Sequence, residues 1–261
     1  MSTATLMGTN QVSEQDVFNV PAVPFTKTFH PIHHGDVIRS IQEAIGIVGM
    51  EVVRSEYVLA QEGMQMFGVF DLSQGTSELS WSIGIRNSMN KSLSLGITAG
   101  TRVFVCENLC FSGEFLAFRK HTNGLDLDEL SFLAYRSMRK MIPLLRSFQA
   151  WHEGLKQYEL QEQDAKILLV EIMTNSVFPA SKFNRFNELY FGGVYDHTLW
   201  GFHEAVTNVL KDSNLLTLPK KNRNLNAILN QHIEDVHAEL PSSLGDFYED
   251  RARIAIPKTI S

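Results

Sequence analysis

Residues 50–121 constrain the fold more than any other part of the chain. They form short runs rich in β-branched and aromatic residues, separated by turn residues, which is the pattern of an antiparallel sheet. In 79–86, Leu79, Trp81, Ile83 and Ile85 alternate with Ser80, Ser82, Gly84 and Arg86, so one strand face is apolar and the other polar. Runs near 52–60, 64–72, 79–86, 101–106 and 114–121 predict four or five strands. Gln61-Glu62-Gly63 and Ser73-Gln74-Gly75-Thr76 suit hairpin connections. The glycine-containing run 94–100 reads as a turn-rich connection, with no lysine placed for a phosphate loop.

Either side of this block the period changes. Val37, Ile38, Ile41, Ala44, Ile45 and Val48 recur at helical spacing over 36–48, and Gly49 follows as a stop. Residues 1–30, with Pro21 and Pro24 and no sustained period, read as an arm outside the core. After Asn123-Gly124 the carboxylates Asp126, Asp128 and Glu129 suit the positive end of a helix, and Leu130, Leu133, Ala134, Met138 and Met141 continue at core spacing. Pro143 is expected to kink or divide that helix. Further helices are predicted near 162–175, 182–189, 198–211 and 224–240, with breaks at Pro179 and Pro219. The fold class is therefore α+β, an N-terminal helix and antiparallel β-meander followed by a mostly helical C-terminal half. Its expected organisation is an arm 1–30, an α+β core 31–146, a helical region 147–240 and a tail 241–261.

A chain of 261 residues with 44% hydrophobic and 20% charged residues can bury its own core without a disulfide or metal staple. With only two cysteines, Cys106 and Cys110, no apolar leader after Met1 and no run of membrane-spanning length, a cytoplasmic protein with free thiols is expected. A net charge of −6 argues against nucleic-acid binding through the whole surface. The charge is uneven, however. Between residues 86 and 120 Arg86, Lys91, Arg102, Arg119 and Lys120 face only Glu107 and Glu114, whereas acids dominate from Glu153 to Asp196.

Catalytic and metal motifs are weak. His30, His33 and His34 cluster, but adjacent histidines in an extended segment point apart, and surface or capping roles are expected for them. Cys106 and Cys110 make half a zinc site and otherwise read as small core residues. The pairs His197/His203 and His232/His237 lack the spacing that places two ligands on one helix face, and read as solvated or satisfied side chains. With no nucleophile elbow, phosphate loop or dinucleotide fingerprint, no catalytic residue, metal or cofactor is expected. One constellation stands out: Trp81, Arg86, Asn87, Ser88, Asn90, Lys91, Arg102, Phe104, Phe118, Arg119 and Lys120 mix cations with aromatic rings on adjacent strands. Single strands are held by such mixtures, since rings stack bases while cations follow phosphates. From it, Trp81, Arg86, Asn87, Asn90, Lys91, Arg102, Arg119 and Lys120 form the candidate nucleic-acid-binding set. The same residues also fit a sheet whose aromatics are core and whose cations are merely solvated.

The block Ile85-Arg86-Asn87-Ser88-Met89-Asn90-Lys91-Ser92, followed by Thr101-Arg102-Val103-Phe104-Val105-Cys106-Glu107-Asn108-Leu109, resembles phage/plasmid-like proteins carrying domain of unknown function 932. The later Leu199-Trp200-Gly201-Phe202-His203-Glu204-Ala205-Val206-Thr207 is similar to that family's tryptophan-containing helix. Asn108-Leu109 departs from the asparagine-glycine that members often carry. The resemblance implies a mobile-element origin and no established activity. The function expected is a non-enzymatic, oligomeric protein associated with single-stranded nucleic acid, as in recombination or annealing. The alternative is a module that binds a host defence factor through the acidic helical half. No membrane partner is expected.

Overall fold

A computed structural model describes residues 11–239 apart from 77, 104–108, 123–124, 212 and 214–216; for 103, 109–115 and 235–239 it describes the backbone alone. The expected tail 241–261 and Cys106 thus lie outside the described residues. One sheet organises the molecule: β1 (Gln11–Val12), β2 (Val52–Ala60), β3 (Gln65–Gly75), β4 (Leu79–Ser88), β5 (Leu95–Val103) and β6 (Leu109–Arg119) lie in sequence order. Every neighbouring pair is antiparallel. The α+β class read from the sequence is the observed one.

Alternation along the strands gives the sheet two different faces. Tyr57, Met66, Phe70, Trp81, Ile83, Ile85, Leu95, Ile97 and Ala99 form an apolar face with the buried stripes of α2 (His34–Ile47) and α3 (Leu127–Lys156). From the opposite face, Val58, Phe67 and Val69 join a second core built by the far half of α3 with α4 (Glu162–Thr174), α5 (Phe183–Leu189), α6 (Leu199–Val209) and α7 (Leu218–Glu239). α7 also lies along β6. α3 serves both cores: Leu130, Ala134, Met138, Met141 and Leu145 belong to the first, Phe148, Trp151 and Leu155 to the second.

Several expectations differ from the observed structure. Of the kink or division expected at Pro143, the division does not occur: α3 runs unbroken for 30 residues with Pro143 inside it. Pro143 is exposed on the outer side of the helix, where water can reach the carbonyl its ring leaves without a donor. α3 therefore also crosses the expected 146/147 boundary. Residues 95–100 are strand and not connection: Leu95, Ile97 and Ala99 point into the core, while Gly96, Thr98 and Gly100 face the other way. The break expected at Pro219 falls just before it, between Val209 and Leu218, and α7 starts earlier than the expected 224, with Pro219 in its first turn, where its missing N–H has no helical partner to lose. Finally, the arm contributes to the fold. β1 pairs with β2, and Ser13 closes a capping box with Asp16 at the start of α1 (Glu14–Phe18), whose Val17 is fully buried.

Candidate nucleic-acid interface

The eight residues of the candidate set part into two groups. Trp81 and Asn87 occupy odd positions of β4, on the apolar face with Ile83 and Ile85. The Trp81 indole is buried and its Nε1 donates to Gln149 Oε1 at 3.2 Å. Asn87 is fully buried, and its Nδ2 donates to the Ile32 carbonyl and to His34 Nδ1, each at 2.9 Å. Arg102 is on the opposite face, yet it too is buried at 3% exposure, because the carboxylates of Glu56 and Asp71 neutralise it there. These three side chains are buried, so the eight residues do not share one surface.

The other five gather at one end of the sheet. Arg86 pairs in register with Gly96, and Gly96 with Phe118, so a single row across β4, β5 and β6 reads Arg86, Gly96, Phe118. The Arg86 guanidinium lies over the Phe118 ring, 5.3 Å from its centroid, and that ring is 56% exposed. The β4–β5 connection leaves from this row. Its Ser88 hydroxyl donates to the Leu93 carbonyl at 2.9 Å and accepts from the Leu93 N–H at 3.0 Å, which closes the loop. Within it Asn90 Oδ1 accepts from Ser92 N, and Lys91, at φ 65°, places its ammonium 5.0 Å from the Phe29 ring centroid. Where β6 ends, Arg119 is 3.7 Å from Glu129 and Lys120 is exposed. Phe104 lies outside the described residues.

The histidine cluster borders the same end. His33 caps α2: its Nδ1 accepts from Gly35 N at 3.0 Å and its Nε2 donates to the Val20 carbonyl at 2.7 Å. His34 departs from the expected surface role, for it is fully buried. Its Nε2 donates to the Gly63 carbonyl at 2.9 Å, its Nδ1 accepts from Asn87, and burial pushes its pKa down to about 4. A cavity of about 300 Å³ opens beside them, lined by Val23, His30, Pro31, Asp36, Met89 and Asp126. Its two carboxylates already serve the fold, Asp36 pairing with Arg39 and Asp126 accepting from Glu129 N as the cap of α3. Among the described residues no group of three or more His, Cys, Asp or Glu is placed to hold a metal ion.

Two buried polar clusters escaped the sequence reading. On the second sheet face Arg102 meets Asp71 at 2.7 Å and Glu56 at 3.0 Å, Arg54 meets Glu56 at 2.5 Å, and Ser82 donates to Asp71 at 2.6 Å. Glu56, Asp71 and Arg102 all fall on the strand positions opposite the first core, a face they share with Val58, Phe67 and Val69; the unsignalled part was that helices cover this face. In the helical half, His152 and His203 are both buried with ring centroids 5.2 Å apart. His203 is thus neither solvated nor fully satisfied, as Nδ1 has no hydrogen-bond partner among the described residues.

No family model, curated protein or solved structure matches the chain. Among the described residues no helix is long and apolar enough to cross a membrane. Fold and site thus define an α+β protein with a six-stranded antiparallel meander, helices over both faces and a cationic, partly aromatic rim.

Proposed function

We propose that this chain is a non-enzymatic protein that binds single-stranded nucleic acid at the sheet end carrying Arg86, Asn90, Lys91, Arg119 and Lys120. The observation that carries the reading is the exposed Phe118 ring backed by the Arg86 guanidinium, with further cations on the adjoining loop and strand end. Such a ring offers a stacking platform that any base can use, while the cations follow the phosphates. Assembly into an oligomer, which would multiply a shallow site into a long track, belongs to the same proposal, as do the mobile-element origin and the family carrying domain of unknown function 932. Fluorescence anisotropy with labelled single-stranded and duplex DNA and RNA, titrated across salt, tests it. Submicromolar, salt-sensitive binding that favours single strands supports the proposal, and no binding at low salt ends it.

The alternative, a module that binds a host protein, draws on α4. Ile167 and Val170 are 54% and 58% exposed there, one helical turn apart, with Glu171 one turn beyond Ile167. Capture of a defined host defence factor, lost in Ile167→Glu/Val170→Glu, together with no nucleic-acid affinity, favours that reading.

A further inference from the structure

His152 on α3 and His203 on α6 face each other inside the second core at 0% and 1% exposure. Aromatic rings enclose them. Phe148 lies 4.4 Å and Trp151 5.2 Å from the His152 ring, while Trp200 lies 4.8 Å from His152 and stacks on His203 at 5.6 Å and 17°. Neither ring nitrogen of His152, nor Nδ1 of His203, has a hydrogen-bond partner among the described residues. A neutral imidazole in such a place already leaves a donor and an acceptor unmet, and a protonated one adds an unsolvated charge.

The charged groups around the pair come from three elements. On α3 itself Lys156, one turn beyond His152, holds its ammonium 5.5 Å from the Trp200 ring centroid. It is paired with Glu153 of α3 and with Glu78, which precedes β4. Burial opposes the lysine charge, but the bonds to Glu78 and Glu153 outweigh it and raise the Lys156 pKa, so the charge persists where histidine titrates. On α6, Glu204 Oε1 is 3.7 Å from His203 Nδ1. α7 contributes a neutral partner, Asn230, whose Oδ1 accepts from Trp151 Nε1 at 2.9 Å. A proton on His203 has Glu204 beside it. A proton on His152 faces His203 and Lys156, and with burial these hold the His152 pKa well below its ordinary value.

We infer that the His152–His203 contact is an acid-sensitive latch between α3 and α6: a proton settles on His152 only when the two helices part, so acid opens the helical half and uncovers Trp151 and Trp200. This is independent of the nucleic-acid reading. Hydrogen exchange of the full chain, corrected for the intrinsic pH dependence of exchange, tests it as pH falls from neutrality to about 5, below the ordinary histidine pKa. The expected result is a loss of protection in 145–156 and 199–209 that exceeds the loss in β3 to β5, and an excess moved at least about one pH unit lower in His152→Phe. Equal loss of protection in sheet and helices, or an unshifted loss in the variant, overturns the latch. Histidine ring NMR of the unaltered chain is the second measurement, and it does not depend on the variant folding. A His152 ring that titrates near its ordinary value while the spectrum stays native also overturns it; a ring that stays neutral until the native spectrum changes supports it.

Discussion

Arg102 Nε lies 2.7 Å from Asp71 Oδ2, although the two residues stand on β5 and β3 with β4 between them. The guanidinium reaches across the strand that carries Ser80 and Ser82 and goes on to Glu56 of β2. Four strands are thereby tied on a face that is closed to water at this point: Glu56 is 2% and Arg102 3% exposed. Two arginines and two carboxylates balance, which is what allows such charges to be buried at all.

Arg102→Met is therefore expected to lower stability by about 3–5 kcal/mol, because both carboxylates remain buried with their main cation removed. Urea denaturation measures this. Glu56→Met/Asp71→Leu/Arg102→Met should recover part of the loss, since the one charge left, Arg54, is 36% exposed and reaches water. A single variant as stable as the parent would show that water enters this face.

His34 makes stability depend on pH. Its Nδ1 is held as an acceptor by Asn87, whose amide is oriented by its other bond to the Ile32 carbonyl, so protonation would set two donors against each other. The folded pKa is about 4 against an ordinary 6.5, so between those values the unfolded chain binds more protons. The His34 contribution is whole above pH 6.5 and is lost as pH falls toward 4, by about 3 kcal/mol in all. Denaturation midpoints across this range should show the decline. His34→Gln should be less stable at neutral pH and show a shallower decline on acidification.

Gly201 tests whether the start of α6 is as tight as its geometry. A Cβ placed there would lie 1.9 Å from the Asp196 carbonyl oxygen, which is backbone and cannot swing away. Within a helix, glycine to alanine ordinarily gains about 1 kcal/mol. Here the sign should reverse, Gly201→Ala costing about 1–3 kcal/mol by overpacking, seen as a lower melting temperature.

How much of this was legible in the sequence depends on whether local pattern or tertiary cover decided the outcome. The alternation of Leu79, Trp81, Ile83 and Ile85 marked β4 and its buried face, and Asp126 marked the start of α3, because strand period and helix caps are local. β5 was misread because glycines 96 and 100 outweighed the period of Leu95, Ile97 and Ala99, yet those glycines stand on the second face beside strands that supply larger side chains. The burial of Arg102 depended on acids 31 and 46 residues away and on helices covering the face, neither of which a local window contains. The Arg86–Phe118 contact likewise required the register of three strands.

The proposed interface makes the sharpest separation between charge and stacking. Arg86→Gln/Lys91→Gln/Lys120→Gln should weaken single-strand binding and make the dependence of log K on log salt shallower by about 2, given a slope near 0.7 per phosphate contact. Phe118→Ala should instead cost about 1–3 kcal/mol at every salt concentration and leave the slope unchanged, because a stacked ring releases no counterions. Arg102→Met, measured under conditions where it is folded, should bind as the parent does, since its guanidinium is spent on Glu56 and Asp71 and never meets the ligand. Anisotropy titrations of the three variants at several salt concentrations check all of this together. A triple variant with the parent's affinity and slope would remove the rim from consideration, and an Arg102 variant that alone abolished binding would move the site to the opposite end of the second face.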